Sequence, residues 1–176
     1  RKVKENIAAG GAHTRSHSDK PVTEWKAINS LPVLGNERKD FRNWKERFRD
    51  ALSQVKDDYE ELIDYADTYR QGIFKNMPYE DWERVGREEF TSKLVDQSVG
   101  ITTAMVKQMS REIYSVLTHK TEGEARLASK NPDNDGVFGY IKLVRWYTET
   151  SGLGMAERKK YCMMPPQVKK EEDMMA

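Results

Sequence analysis

Asp40-Phe41-Arg42-Asn43-Trp44-Lys45-Glu46-Arg47-Phe48-Arg49-Asp50-Ala51-Leu52-Ser53-Gln54-Val55 is the stretch whose reading decides the fold class. Phe41, Trp44, Phe48, Leu52 and Val55 recur at steps of three and four, which lays them along one face of an α-helix. Arg42, Lys45, Glu46, Arg49 and Asp50 take the opposite, polar face. Asp40 is the expected N-cap, because its carboxylate can accept from the first backbone amides that lack a helical partner.

The same period continues toward the C-terminus. Tyr59, Leu62, Ile63 and Ala66 form a second stripe, and the segment from Gly72 to Pro78 reads as a connection. Pro78-Tyr79-Glu80-Asp81 opens another helix, with acids near its positive end and Trp82, Val85, Phe90 and Leu94 as the expected buried side. After Gly100 comes a long stripe of Ile101, Met105, Met109, Ile113, Val116 and Leu117. Thr121-Glu122-Gly123 turns into a short helix, Asn131 to Gly136 is a turn-rich loop, and Phe138, Ile141, Val144, Trp146 and Tyr147 mark the next helix. A short basic helix from Met155 to Tyr161 precedes Pro165-Pro166. No segment alternates with a period of two, so the expectation is an all-α fold of about six helices.

Toward the N-terminus the pattern fades. Residues 1–29 contain Gly10-Gly11, the polar run His13 to Asp19 and Pro21, and they read as a flexible leader. Leu31-Pro32-Val33-Leu34-Gly35-Asn36 is an apolar segment closed by a turn, suited to packing in extended form. The expected organisation is a leader over 1–29, a helical domain over 30–162, and a linker with the start of a truncated helix over 163–176. A chain that begins at Arg1 and ends at Ala176 after a helix-favouring run is expected to be a piece of a longer polypeptide.

Composition narrows the function classes. Leu, Ile, Val and Phe total 33 of 176 residues, which borders on disorder, but the net charge of +1 is too small for that class. Residues 1–40 carry a net +3, residues 41–100 a net −4 and residues 101–176 a net +2, so no concentrated basic stripe exists. The cations that a polyanion would meet are Arg1, Lys2, Lys4, Arg15 and Lys20 in the leader and Arg158, Lys159 and Lys160 near the end. Cys162 is the only cysteine, which rules out an intrachain disulfide and a multi-cysteine zinc module and fits a reducing, intracellular setting, with the cytoplasm expected. No apolar run is long enough to cross a membrane as a helix.

Four constellations invite a chemical reading. Counted from Asn131, Asp133, Asp135 and Gly136 fill the third, fifth and sixth places of a calcium loop, but the twelfth is Lys142 where a bidentate carboxylate is needed. His13 and His17 have the spacing of two ligands on one helical turn and lack an evident third. Asp57, Asp58, Glu60, Glu61, Asp64 and Asp67 read as a solvated helix face rather than an acid–base site. Cys162 and His119 have no orienting third group, and His119 suits the end of its helix. No phosphate loop, nucleophile elbow or dinucleotide fingerprint is present. The expectation is therefore no catalytic residue, no metal, no cofactor and no small-molecule substrate. Trp44, Trp82 and Trp146 lie within apolar stripes, so core burial is favoured over stacking on RNA bases.

The order of these segments resembles the Gag-like capsid proteins of LTR retrotransposons, of the Copia type or related protist elements. Leu31-Pro32-Val33-Leu34-Gly35 followed by Phe41-Arg42-Asn43-Trp44 looks like that family's entry strand and first helix. Gly123-Glu124-Ala125-Arg126 resembles its small-residue helix, and the run from Gly136 through Trp146-Tyr147 to Arg158 its helix with a terminal aromatic pair and the basic helix beyond. The resemblance spans roughly residues 25–176 and implies a capsid-like bundle that self-associates and packages RNA, with no active site. Two rival expectations remain: a nucleic-acid-binding module built on the basic leader, and a helical adaptor for peptides.

Overall fold

The computed structural model describes residues 20–72 and 77–149. A 3-10 turn at Val22–Glu24 and a single helical turn, α1 (Lys26–Asn29), lead into the long helices α2 (Arg38–Val55) and α3 (Asp57–Gln71). α4 (Tyr79–Asp81) runs through a π-helical stretch at Trp82–Gly86 into α5 (Arg87–Gln97). α6 (Thr103–Lys120), α7 (Gly123–Ser129) and α8 (Gly136–Glu149) follow. The fold is all-α. Among the described residues the one departure is a parallel bridge between Leu34 and Thr121.

The deciding stretch folds as its period requires. Phe41, Trp44, Phe48, Ala51 and Leu52 are buried on α2. The Trp44 and Phe48 rings stack at 4.9 Å, and Phe48 continues to Tyr140 of α8 at 5.8 Å. Trp44 also donates its indole N–H to the Pro32 carbonyl at 2.8 Å, which satisfies its one polar atom inside the core. The cap differs from expectation. Helix α2 begins at Arg38, so Asp40 sits in the first turn, and no side chain caps the end at Glu37. There Asp40 complements the positive end of the helix without replacing a backbone acceptor.

One extended residue, Lys56, separates α2 from α3. The two helices run antiparallel, held by Arg49 to Glu60 and Asp64 and by Lys45 to Asp67, each at 2.7 Å. The acids on α3 are thus not a uniformly solvated face. Asp58 is buried, while Asp64 and Asp67 bind α2 across the helix pair.

The π stretch and α5 together bury Trp82, Gly86, Phe90 and Leu94, one residue in every four. Val85, expected inside, is half exposed at 48 %. The π stretch is the reason: its wider turn rotates the phase so that Gly86 faces inward in place of Val85. A Cβ on Gly86 would lie 2.6 Å from Met77 Sδ and 3.0 Å from the Trp82 ring, so any larger residue there must displace the Met77 thioether.

Helix α8 is wrapped by the others. Val137, Phe138, Tyr140, Ile141, Leu143, Val144 and Tyr147 are all buried, against α3, α6 and α7. Its first residue is pressed onto α6, where a Cβ on Gly136 would fall 2.0 Å from the Ser110 carbonyl oxygen. Gly136 therefore serves helix contact and not only a turn. On α6, Val106 takes the buried place beside a half-buried Met105.

The leader is shorter than its sequence suggests. Val22 and Ile28, at 5 % and 1 % exposure, are part of the core, so packing begins before residue 30. Two apolar side chains spaced across two short turns carry no detectable period, which is why the segment reads as unstructured. Leu31 and Leu34 are also buried. Leu34 donates its amide to the Lys120 carbonyl at 2.8 Å and accepts from the Glu122 amide at 2.9 Å, so the entry segment is extended as expected.

Candidate functional site

The loop from Asn131 to Gly136 ties three helices together. Asn131 accepts the Asp135 amide at 2.8 Å and donates to the Asp135 carbonyl at 2.9 Å, closing the loop on itself. Asn134 takes φ +55°, a left-handed conformation that asparagine tolerates. Asp135 is then held 8 % exposed at the start of α8. Its Oδ1 accepts from the Phe138 amide at 3.0 Å, a capping bond, and from Ser110 of α6 at 2.9 Å. Its Oδ2 accepts from the Trp82 indole and from Arg87 of α5, both at 2.8 Å.

Arg87 binds Asp133 as well, at 3.0 Å. Burial works against its charge, but the bonds to Asp133 and Asp135 outweigh burial and hold the guanidinium more firmly protonated than an ordinary arginine. Bonds from Tyr79 and Arg87 keep the Asp133 carboxyl below the usual carboxylate range. The residues that resembled half a calcium loop are therefore turned toward protein donors. Lys142, at the place of the missing carboxylate, donates to the Lys130 carbonyl at 3.1 Å, and burial pushes its ammonium below the ordinary lysine range.

Beside this hub, α5 and α6 diverge around an open cleft of about 640 Å³. Arg84, Arg87, Lys107 and Arg111 line it together with Glu83, Glu88, Asp133 and Asp135. Four cations thus face four carboxylates, and the hydroxyls of Thr91, Ser92, Thr103 and Ser110 lie between them. A smaller hollow of about 410 Å³ shares Arg111, Asp133 and Asn134 and reaches along α6 to His119. The floor of the cleft holds Trp82, Phe90 and Val106, which the core already covers. The formal charges of the lining thus cancel, with both signs present in the one cleft.

The other expected residues are spread apart. Arg1, Lys2, Lys4 and Arg15 and the pair His13 and His17 lie outside the described residues, as do Arg158, Lys159, Lys160 and Cys162. Lys20 is exposed at the beginning of the described chain. His119 is exposed near the end of α6, its Nδ1 2.7 Å from the Ser115 carbonyl one turn earlier. On α3, Asp57, Glu60, Glu61 and Asp64 border a shallow groove, but Glu60 and Asp64 are spent on Arg49. Among the described residues no group of three or more His, Cys, Asp or Glu side chains is placed to hold a metal ion, and no helix is long and apolar enough to cross a membrane.

Sequence reasoning missed the cleft. Its residues come from positions 82–92, 103–111 and 133–137, and only the charge-bearing helix periodicity of Lys107 and Arg111 hinted at a shared face. No known family model matches the chain, and neither a curated protein nor a solved structure matches it.

Proposed function

We propose that the chain is a non-enzymatic structural unit of the Gag capsid type, which self-associates and packages retrotransposon RNA inside the cell. The observation that carries this reading is that the three stretches bearing the family resemblance meet at one place. Tyr147, of the aromatic pair, stacks on Phe41 of the first helix at 4.4 Å with rings 7° from parallel. Its hydroxyl donates to the carbonyl of Gly35 in the entry segment. Asn36, the next residue, accepts the amide of Glu124 at 2.9 Å, at the start of the small-residue helix α7. Gly123 takes φ +55° there, and a Cβ would lie 2.5 Å from the Asn36 oxygen, so this junction needs glycine. Segments far apart in the chain thus act as one structural unit, as an order-based resemblance requires.

The chemistry agrees with a building block. Shell proteins need a stable core and repeated weak surface contacts, with no reaction centre. The hub at Asp135 spends its charges on joining helices, and the Arg49 and Lys45 pairs do the same for α2 and α3.

Light scattering of the full chain against protein concentration, with and without RNA and at low and moderate salt, tests the reading. The expected result is mass growing with concentration and further with RNA. A strict monomer that binds RNA only at low salt sinks it in favour of a basic binding module, since affinity carried by phosphate contacts alone falls steeply with salt. A strict monomer indifferent to RNA sinks both.

A further inference from the structure

The cleft between α5 and α6 separates its free charges by wall. Glu83 and Glu88 are exposed on the α5 side, and Lys107 and Arg111 are exposed on the α6 side. None of the four is held in an ion pair by another described residue, in contrast to Arg84, Arg87, Asp133 and Asp135. Lys107 and Arg111 share a helix face because they lie one turn apart. Glu83 and Glu88 are five residues apart and still face the same cleft, since Glu83 lies in the π stretch, where i to i+5 bonding widens the turn.

We propose that this cleft is a contact between two copies of the chain, the acidic α5 wall of each set against the basic α6 wall of the other. The inference rests on the self-association proposed above and names its surface. A two-fold axis brings a surface onto itself, so a patch is self-complementary only if it carries both signs in separate places. This cleft does. Its balanced charge gives RNA or free phosphate no net attraction, whereas a second copy offers both walls at matching spacing. Complementary walls also fix orientation, because sliding the copies out of place sets acid against acid.

Reversing one wall at a time tests it by sedimentation equilibrium of the full chain without RNA. The variants are Lys107→Glu with Arg111→Glu, and Glu83→Lys with Glu88→Lys. All four side chains are exposed, so melting temperatures serve as the control for folding. Each double variant alone is expected to self-associate about tenfold more weakly or worse, because like charges then face each other. An equimolar mixture of the two is expected to recover association, and so is the fourfold variant with both walls exchanged. If the wild type associates and the double variants match it, or the mixture associates no better than its components, the cleft assignment falls and the assembly reading stands. A wild type that stays monomeric at every concentration overturns both.

Discussion

The Asp135 carboxylate accepts from Trp82, Arg87, Ser110 and the Phe138 amide, so its loss strands donors from the π stretch, α5, α6 and α8 at once. Removing one member of a buried charged cluster leaves the others desolvated and unpaired. Asp135→Ala is expected to cost about 3–5 kcal/mol, and Asp135→Asn less, since the amide oxygen still accepts and the shape is kept. Urea unfolding monitored by tryptophan fluorescence measures both, and equal losses would show that the charge does not matter there. The loop holding Asp135 was legible as a turn from Asn131 to Gly136. Its chemistry was not, because alternating acids and amides closed by glycine suit a calcium loop and a helix-capping loop alike. The choice between them is made by Trp82 and Ser110, 53 and 25 residues away, and no local pattern carries that distance.

At the scale of the element, α2 and most of α6 could be read directly, because each presents one apolar stripe to one core. Helix α5 could not. A strict α period puts Val85 inside, and the π stretch that turns it outward leaves no signature beyond Gly86. Gly86 and Gly136 are packed against neighbours with different amounts of give. At Gly136 the obstacle to a Cβ is the Ser110 carbonyl at 2.0 Å and the Tyr114 backbone nitrogen at 2.5 Å, neither of which can move without α6. At Gly86 it is the thioether of Met77, the far end of a flexible side chain. Gly136→Ala is therefore expected to destabilise by about 3 kcal/mol or more, at or above the usual overpacking range, and Gly86→Ala by about 1 kcal/mol. Thermal melts of the two variants decide the order. A reversed order would mean that the α6–α8 contact is looser than the Gly136 approach indicates.

For the molecule as a whole, four tyrosines bind the core to its edges. Burial, then a bond to Glu112, pushes the Tyr59 hydroxyl far above its ordinary range, and burial beside Asp67 does the same to Tyr140. Burial raises Tyr69 and Tyr147 to about 12. A hydroxyl that ionises less readily folded than unfolded stabilises the fold fully below the unfolded value of about 10, and that contribution is lost as pH rises through the folded values. Melting temperature is thus expected to drop from about pH 10 upward, with tyrosinate absorbance from these four appearing together with unfolding. Absorbance that rises smoothly before any unfolding would contradict their burial. The all-α class was readable across the chain, since no stretch alternates and several repeat every three or four residues. The central position of α8 was not. A helix apolar on nearly every side has no face to point with, and which neighbours surround it is decided by the whole sequence.

The short bridge at Leu34 has a consequence for how the protein is made. Its two backbone bonds, with the nearby bond between Asn36 and Glu124 spanning 88 residues, close a circuit around α2 to α6. Closing so wide a circuit costs chain entropy that no local contact offsets, so it is expected as a late step in folding, after the helices it joins are in place. The same segment supplies the carbonyl of Pro32 to Trp44 and that of Gly35 to Tyr147, while the ion pairs between α2 and α3 do not involve it. The entry segment thus works as a clasp, fastening across the chain helices that also hold one another through their own contacts.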